Sequence, residues 1–340
     1  MVNHRGPEFA ALIRSITSRL KTFFQTDHDL FLLTSSGTGS LEAAVVNTLS
    51  PGDKVLAVSI GEFGERFSEI ARIFGATVVP LKYEYGDYAK ADDIKKAIAD
   101  NPGLKAVMIT HNETSTGVTN DIKTIGQVVK DAGLLFLVDS VSGIGSLPYQ
   151  VDEWGGDVVC AGSQKGWMAP PGIAMVAVSE KAWEANAQAK MPRLYWDFAS
   201  AKRYLERDQT PFTPALSVMY AMDKGLDFME NEGMANVQAR HARIGQTIRD
   251  GVKSMGLELL CKDEKYASNT VTAVKLPEGI KSADFLKTVR ADFDIELATG
   301  QGPLAPTIFR IGHLGWVNDQ DAKEVLDAIK AVLPKLGFRE

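Results

Sequence analysis

Short apolar runs rich in β-branched residues alternate with amphipathic stretches from about residue 29 to residue 178. The runs DLFLLT at 29–34 and KVLAVS at 54–59 are typical of strands, and the apolar-periodic segment 40–49 between them predicts a helix. Strands that alternate with helices form a mostly parallel sheet covered on both faces. Ligands of such sheets bind beyond the carboxyl ends of the strands. The other predicted strands are 77–81, 105–110, 134–138, 158–161 and 173–178, with helices at 66–74, 92–99 and 122–130.

The pattern changes after residue 213, where long helical stretches at 214–231 and 234–255 follow each other. A chain of 340 residues exceeds the usual length of a single domain. We therefore predict an α/β fold with a large domain at 1–235 and a smaller C-terminal α/β domain at 236–340. In the smaller domain we predict strands at 271–275 and 308–311, and helices at 283–291 and 319–333.

Composition excludes several classes of function. The net charge of −6 disfavours a nucleic-acid surface, and no apolar run approaches the ~18 residues of a membrane helix. The polar stretch 1–19 predicts no secretory signal. The two cysteines, Cys160 and Cys261, are far apart, which favours a reducing cytoplasm over a disulfide framework. The five histidines lack ligand spacing, so no metal site is predicted.

The segment SSGTGS at 35–40 joins a predicted strand to a predicted helix. Glycines let the backbone approach an anion, and a helix N-terminus adds free N–H groups and a positive dipole. The hydroxyls of Thr38 and Ser40 add donors. The segment is equally typical of a tight turn with Ser40 as the N-cap. A dinucleotide-binding fingerprint is not satisfied, because Glu42 occupies the position of its third glycine.

Two more polar loops follow buried strands. Asp139 comes directly after the strand 134–138, where a carboxylate is costly unless a cation pairs with it; a cap for the next segment is the ordinary interpretation. Lys165 lies in the turn AGSQKGW at 161–167 between two apolar strands. Most lysines are solvated, but a desolvated lysine has a lowered pKa and acts as a nucleophile or base.

Together the three loops supply what pyridoxal phosphate (PLP) requires. Its phosphate needs a cradle, its pyridine nitrogen needs a carboxylate that keeps it protonated, and its aldehyde needs a lysine. We therefore predict PLP as the cofactor.

At these residues the chain resembles the class V aminotransferases, close to the alanine–glyoxylate and serine–glyoxylate branch. Each matching segment is a weak signal alone, but they occur in the family's order and span nearly the whole chain. The segments are SSGTGSLEAA at 35–44, GEFGERF at 61–67, THNETSTG at 110–117, LVDSVSGIG at 137–145, AGSQKGW at 161–167, TPFTP at 210–214 and FRIGHLG at 309–315.

The resemblance implies the PLP-transferase fold type I and a role for each matching cofactor residue. Thr38, Gly39 and Ser40 correspond to the phosphate cup, and Gln164 assists them. Lys165 corresponds to the Schiff-base lysine and Asp139 to the partner of the pyridine nitrogen.

Other matching residues surround the ring in the family. Phe63 corresponds to the aromatic that stacks on it, although an isolated phenylalanine is more often a core residue. Thr114 corresponds to the donor to the ring hydroxyl, and Val141 to the apolar residue beneath the ring. Thr210 and Thr213 correspond to residues that reach the neighbour's phosphate in a homodimer with shared active sites.

Arg310 resembles the arginine that binds the substrate's α-carboxylate, since a guanidinium fork grips a carboxylate at two points. Its apolar neighbours Ile308, Phe309 and Ile311 disfavour a surface ion pair. The matched stretch begins at HRGPEF, 4–9, whereas family chains usually carry a Gly/Pro-rich segment before it that helps to roof the substrate pocket. We expect this difference to affect substrate binding rather than cofactor binding.

The resemblance implies ping-pong transamination from a small amino acid, alanine or serine, to glyoxylate or a similar keto acid. An aspartate or glutamate donor would need a second fixed cation, and the recognised loops offer none. A lyase or desulfurase of the same fold is an alternative, but 298–310 lacks the loop cysteine that a desulfurase requires. A non-catalytic Rossmann-like nucleotide-binding module is the alternative from another class.

Overall fold

The computed structural model describes residues 2–338 of the chain. Its helices are α1 (Pro7–Phe24), α2 (Gly37–Thr48), α3 (Glu62–Ile73), α4 (Ala91–Asp100), α5 (Ile122–Asp131), α6 (Glu180–Asn186), α7 (Phe198–Leu205), α8 (Leu216–Glu232), α9 (Met234–Lys253), α10 (Ser282–Phe293) and α11 (Asp319–Val332). Its strands are β1 (Asp29–Ser35), β2 (Lys54–Ser59), β3 (Thr77–Lys82), β4 (Leu104–Thr110), β5 (Asn112–Glu113), β6 (Val118–Thr119), β7 (Leu135–Asp139), β8 (Val158–Gly162), β9 (Gly172–Val178), β10 (Val271–Lys275), β11 (Ala298–Thr299) and β12 (Ile308–Gly312).

A seven-stranded sheet in the order β1-β9-β8-β7-β4-β2-β3 forms the centre of the fold. The pairs from β8 to β3 are parallel, and β9 is antiparallel to both of its neighbours, β1 and β8. Only β9 therefore runs against the other strands, which confirms the predicted α/β fold with a mostly parallel sheet. The carboxyl ends of β1, β2, β4, β7 and β8 lie at one edge of this sheet.

Apolar side chains cover both faces of the sheet. Leu30 and Leu32 of β1 join the core that includes residues of α1, α5 and α8, whereas Phe31 and Leu33 join the core that includes residues of α2, α3 and α7. Successive side chains of a strand point to opposite faces, so one strand contributes to two cores. Burial on both faces explains why the strands appear in the sequence as continuous apolar runs.

A smaller antiparallel sheet in the order β10-β12-β11 follows. Residues of α9, α10 and α11 pack against it in a separate apolar core, from Ile244 to Leu333. No helix in residues 2–338 combines the length and the apolar character that crossing a membrane requires.

Two predictions about local structure are wrong. The helix after β1 begins at Gly37 with Ser36 as its N-cap, so Ser40 is not the cap but lies in the first turn. The N-terminal stretch, expected to be polar throughout, forms the amphipathic helix α1, which starts with Pro7 at N1 and buries Phe9, Ile13 and Ile16. Proline is favoured at this position because its missing N–H would have no partner there.

Candidate active site

The structure brings most of the predicted site residues to one edge of the central sheet. Thr38 follows β1, Phe63 follows β2, Thr114 follows β4, Asp139 ends β7 and Lys165 follows β8. Because these strands are parallel to one another, their carboxyl ends meet there. The predicted residues therefore share one location, although Thr38 and Lys165 are more than 120 positions apart in the sequence.

The N-terminus of α2 points two free backbone donors towards this edge. The first N–H groups of a helix lack intrahelical acceptors, and those of Gly37 and Thr38 have no acceptor within residues 2–338. The N–H of Gly39 donates to Ser36 O at 3.0 Å. The Ser40 hydroxyl is fully buried and donates to Gly37 O at 2.6 Å, so it closes the helical turn instead of facing the site. Ser36, whose role the sequence did not suggest, is exposed at the helix start.

Asp139 is a buried carboxyl group with one oxygen engaged. Its Oδ1 accepts a hydrogen bond from Val141 N at 3.0 Å, and Oδ2 has no partner among the described residues. The pKa of Asp139 is raised to about 7, chiefly by burial and also by the negative charge of Glu113, against the opposing effects of the hydrogen bond from Val141 N and the positive charges of Lys165 and Arg66. Such a carboxyl group is suited to hold a cation close to it.

Lys165 lies in a tight turn beneath the end of β8. Its backbone donates to Gly162 O, and the N–H of Met168 donates to Lys165 O at 3.1 Å. Burial lowers the pKa of Lys165, Asp139 opposes this shift, and Arg310 adds to it. No ion pair or hydrogen bond of Lys165 Nζ is found within residues 2–338. Asp139 ends β7 and Lys165 follows the neighbouring strand β8, so the two groups lie at the same edge of the sheet.

Gln164 and Val141 line the space between α2 and the turn of Lys165. Val141 packs so closely against α2 that a Cβ on Gly37 would lie 2.7 Å from its methyl groups. The Gln164 Oε1 atom is buried and has no hydrogen-bond partner in the described chain. Buried polar atoms rarely stay unpaired, so this atom indicates a missing donor.

Phe63 lies at the start of α3, half-buried at the same edge. The Arg66 guanidinium lies 4.7 Å from the centre of the Phe63 ring, and its Nη1 is 3.5 Å from Thr38 Oγ1. Arg66 is exposed, and no ion pair of its side chain is found within residues 2–338. The sequence did not single out Arg66, because an arginine in a helix is ordinarily a solvated residue.

Thr114 and Arg310 connect the large sheet to the small one. The Thr114 hydroxyl donates to Ser142 Oγ at 2.8 Å, and its carbonyl accepts from Arg310 Nη1 at 3.0 Å. Arg310 Nε donates to Thr299 O at 2.8 Å. Two backbone carbonyls therefore fix the buried guanidinium, whose Nη2 has no partner among the described residues. Burial lowers the pKa of Arg310, and Glu113 opposes that shift.

Thr210 and Thr213 lie beside the edge strand β1 and have no hydrogen bonds to the loops just described. The Thr210 hydroxyl donates to Phe212 O, and its carbonyl accepts from Arg5 Nη1. Thr213 is exposed. Thr210 is therefore buried within the chain, and only Thr213 reaches the surface.

Glu113 is a further residue that the sequence did not single out, although it lies in the quoted segment THNETSTG. Its side chain is fully buried and accepts from Phe63 N, Gly64 N and both donors of Ser115. An acidic residue in a polar loop gives no sequence signal of burial, so only the folded chain reveals it.

The residues at this edge fit PLP. Free N–H groups at a helix N-terminus suit a phosphate, a buried carboxyl with an open oxygen suits a pyridinium, and a half-buried lysine with no ion pair in the described chain suits an aldehyde. A Cβ on Gly162 would lie 3.2 Å from the unpaired Gln164 Oε1 and 3.8 Å from Gly37 Cα, so Gln164 lies close to the N-terminus of α2. The fold and this set of groups define a PLP-dependent enzyme of fold type I.

Comparisons with known proteins agree. The aminotransferase class-V family model matches residues 1–317, and the chain belongs to that family. A serine–glyoxylate aminotransferase of Methylorubrum extorquens is 38% identical over 93% of this chain and 81% of its own length. An L-aspartate–glyoxylate aminotransferase of Paracoccus denitrificans is 36% identical over 99% and 86%. The crystal structure of an alanine–glyoxylate aminotransferase of Nostoc sp. superimposes with a TM-score of 0.93 at 28% identity, covering 98% of this chain and 89% of that one. The protein is a PLP-dependent aminotransferase.

Proposed function

We propose that the protein transfers the amino group of a small amino acid, alanine or serine, to glyoxylate in a ping-pong reaction. The observation that carries this proposal is the placement of Asp139 and Lys165 at the ends of the paired strands β7 and β8, with Arg310 anchored to the carbonyl of Thr114 after β4. The relatives named after serine, aspartate and alanine donors all share glyoxylate in their names, which supports the acceptor.

When bound, PLP supplies an aldehyde that joins amino groups and a pyridinium ring that accepts electrons. We assign the phosphate to the N-terminus of α2 and to Gln164, with Thr38, Gly39 and Ser40 forming the turn that presents the free N–H groups. Phe63 and Val141 would hold the ring, and the Thr114 hydroxyl, which donates to Ser142 Oγ in the chain alone, would turn to donate to the ring hydroxyl. Asp139 keeps the proton on the ring nitrogen, because its buried carboxylate is strongly stabilised by an adjacent cation.

Lys165 is the residue that we expect to move a proton at the substrate Cα. Burial lowers the pKa of its ammonium, so the neutral amine is more readily available near neutral pH than that of a solvated lysine. The side chain has no ion pair within residues 2–338 that would hold it away from the reacting atoms. Its free amine therefore serves as both the anchor of the cofactor and the acid–base group.

Arg310 orients the substrate through its carboxylate. Two carbonyls already hold its Nε and Nη1, which leaves Nη2 and the rest of the fork to bind a carboxylate without a further loss of side-chain entropy. A fixed carboxylate determines which bond of Cα faces the ring. Small substrates offer little other binding energy, so this orientation carries much of the specificity.

Aspartate is a second candidate donor, because the structure brings Arg66 to the site. Its guanidinium lies over Phe63 and lowers the pKa of Asp139, and one relative is named for L-aspartate. Arg66 is exposed, however, and its one side-chain acceptor, Thr38 Oγ1, is 3.5 Å away. A cation that is not fixed gives little net stabilisation to a buried carboxylate. We therefore retain the small donor as the main proposal.

Steady-state kinetics with alanine, serine, aspartate and glutamate against glyoxylate test this assignment. We expect kcat/KM for alanine or serine to exceed that for the dicarboxylates, and Lys165→Ala to abolish turnover with every donor. Arg66→Gln should leave alanine and serine unaffected within about twofold, as expected for an exposed charge. A higher kcat/KM for aspartate that Arg66→Gln removes would instead establish the second candidate.

We also propose a homodimer located in the cytoplasm. Leu194, Tyr195 and Phe212 are exposed apolar side chains, and Tyr195 stacks on Phe212, which lies between Thr210 and Thr213 in the sequence. This apolar surface supports a subunit contact at the point where the resemblance places a shared active site. Cys160 and Cys261 are both free thiols, which agrees with a reducing compartment.

A further inference from the structure

Glu113 is a buried carboxylate beside the site, next to Thr114. It ends strand β5, and its side chain is fully buried. Its Oε1 accepts from Ser115 N at 3.1 Å and Ser115 Oγ at 2.6 Å. Its Oε2 accepts from Phe63 N and Gly64 N, both at 3.1 Å. The last two donors belong to the first turn of α3, so the carboxylate caps that helix from another strand.

The hydrogen bonds around the Glu113 side chain favour its ionised form. Burial raises the pKa of Glu113, whereas the donors of Ser115, Gly64 and Phe63 lower it. Every polar neighbour donates, and none is placed to accept a proton from the acid. The packing is also tight, since a Cβ on Gly61 would lie 2.6 Å from Glu113 Cγ and 2.4 Å from Ser115 Oγ. A residue larger than glycine there would push α3 away from the carboxylate.

The residue that follows Glu113 in the chain contacts Arg310, the arginine assigned to the substrate carboxylate. The next carbonyl, that of Thr114, accepts from Arg310 Nη1, and the Thr114 hydroxyl donates to Ser142. The side chain of Glu113 thus holds the start of α3, while its own backbone leads directly to the anchor of Arg310. Its charge also raises the pKa of both Asp139 and Arg310, which places it near both groups.

We propose that Glu113 is a positioning residue that sets the location of Phe63 relative to Arg310 across the PLP site. It touches neither the cofactor nor the substrate; it acts by holding the N-terminus of α3 against residues 113–115. This inference rests on the proposed function, in which Phe63 stacks on the ring and Arg310 binds the substrate carboxylate.

The variant Glu113→Gln tests the proposal, because its amide has one acceptor atom for four donors. The amide nitrogen must face either Ser115 or the first turn of α3, and one of these contacts is lost. We expect the dissociation constant of PLP, measured by absorbance titration of the cofactor-free protein, to rise about tenfold, the equivalent of one hydrogen bond to a charged group. We expect KM for the amino donor to rise more than kcat falls, since Arg310 shifts while Lys165 stays in place.

Asp157→Asn is the matched control. Asp157 is also a buried carboxylate, and it accepts from Phe136 N and Ser179 Oγ at the opposite end of the sheet. This variant should lower the unfolding temperature without changing PLP affinity or KM. A merely structural role of Glu113 would give the same result as the control.

The proposal is overturned if Glu113→Gln keeps PLP affinity and KM within twofold of the unmodified protein. If Glu113→Gln does not fold, the variant Ser115→Ala tests the proposal instead. It removes the hydroxyl that donates to Glu113 and accepts from Glu62 N at 3.0 Å. A rise of about threefold in the PLP dissociation constant supports the proposal, and an unchanged constant contradicts it. Because PLP binding is measured without substrate, this result stands even if the proposed amino donors are not used.

Discussion

Burial at the end of β7 raises the pKa of Asp139 to about 7 in the cofactor-free protein. The folded chain therefore holds a proton that the unfolded chain, with an ordinary carboxyl pKa near 3.8, releases at lower pH. The stability that this group contributes is complete below about pH 4 and is lost as the pH rises through 7. A site residue that destabilises the empty protein is common where function requires a buried charge.

We predict that the effect of Asp139→Asn on the free energy of unfolding of the cofactor-free protein is more stabilising at pH 8 than at pH 4, by on the order of 3 kcal/mol. The reason is that the amide does not ionise. The amide oxygen can still accept from Val141 N, so the turn is retained. Urea unfolding at the two pH values measures the effect. The same variant should lose most of its turnover. An effect of Asp139→Asn on stability that is equal at pH 8 and pH 4 would show that burial does not raise this pKa.

At the residue scale, the sequence located the groups that end apolar strands but not those that support them. Asp139 and Lys165 follow apolar runs, and polar residues at such positions stand out. Glu113 and Arg66 lie in polar or helical surroundings, where an acid or an arginine is ordinarily solvated. Their distant contacts are with residues 49 and 50 positions away for Glu113 and 28 positions away for Arg66, which no local pattern encodes.

At the element scale, two helices hold the turn that carries Lys165. Trp167, fully buried, stacks on Phe24 of α1 at 5.5 Å and meets Phe23 edge-on at 6.0 Å. On α8, Gly225 approaches the same residue so closely that a Cβ there would lie 2.3 Å from Trp167 O. Helices α1 and α8, which are far from Lys165 in the sequence, thus determine where this lysine lies.

We predict that Gly225→Ala destabilises the protein by about 1–3 kcal/mol, the usual cost of overpacking, although alanine favours helices. The clash is with a backbone oxygen, which cannot rotate away. Gly251→Ala in α9 is the control, because the new methyl group would meet the mobile end of Leu326. Thermal unfolding of both variants measures the difference. Equal stabilities would mean that α8 shifts without cost.

The segment after β12 depends on two buried histidines. His313 contacts Thr272 Oγ1 through Nε2 at 2.8 Å and Asn269 O through Nδ1 at 3.1 Å, and His241 Nε2 accepts from Gly315 N. Burial, assisted by the positive charge of Arg249, lowers the pKa of His313 to about 3. Folding therefore keeps this ring neutral at pH values where the unfolded chain, with a pKa near 6.5, takes up a proton.

We predict that the free energy of unfolding falls between pH 7.5 and 5.5 by about 1.4 kcal/mol for His313 alone, since the unfolded state binds the extra proton. His313→Gln should show a pH dependence that is shallower by that amount, whatever its stability at pH 7.5. Urea unfolding across this range measures the slope. Parallel slopes for the two proteins would contradict the assignment of a low pKa to His313.

Element boundaries were predictable where a strand is buried on both faces and less so where a helix meets a site. The strands 54–59 and 271–275 agree with the structure at both ends. The start of α2 was misplaced by three residues, because Gly37, Thr38 and Gly39 have poor helix propensity and are helical only in their tertiary context. The glycines allow close packing against Val141 and Trp196, a requirement that arises in the folded chain.

At the scale of the whole molecule, we propose a domain boundary at residues 235 and 236, near the start of α9. The apolar core of the large sheet extends to Val237, and the separate core of the small sheet begins with Ile244. Arg310 of the small sheet and Thr114 of the large one meet across this division. A substrate carboxylate bound to Arg310 therefore reaches a site whose other residues all belong to the large unit.

The surface beside β1 tests whether two copies of the chain assemble. Leu194 is 78% exposed, and Tyr195 stacks on Phe212 at 4.9 Å, next to Thr210 and Thr213. We predict that the protein is a dimer and that Leu194→Asp, which would bury a charge in an apolar contact, shifts it to a monomer and weakens PLP retention. Sedimentation velocity, with absorbance of the bound cofactor, measures both properties. Phe293→Ser, at an exposed aromatic on α10, should change neither. An unmodified protein that sediments as a monomer and still retains PLP tightly would contradict the shared site, because Thr210 and Thr213 would then have no phosphate to reach.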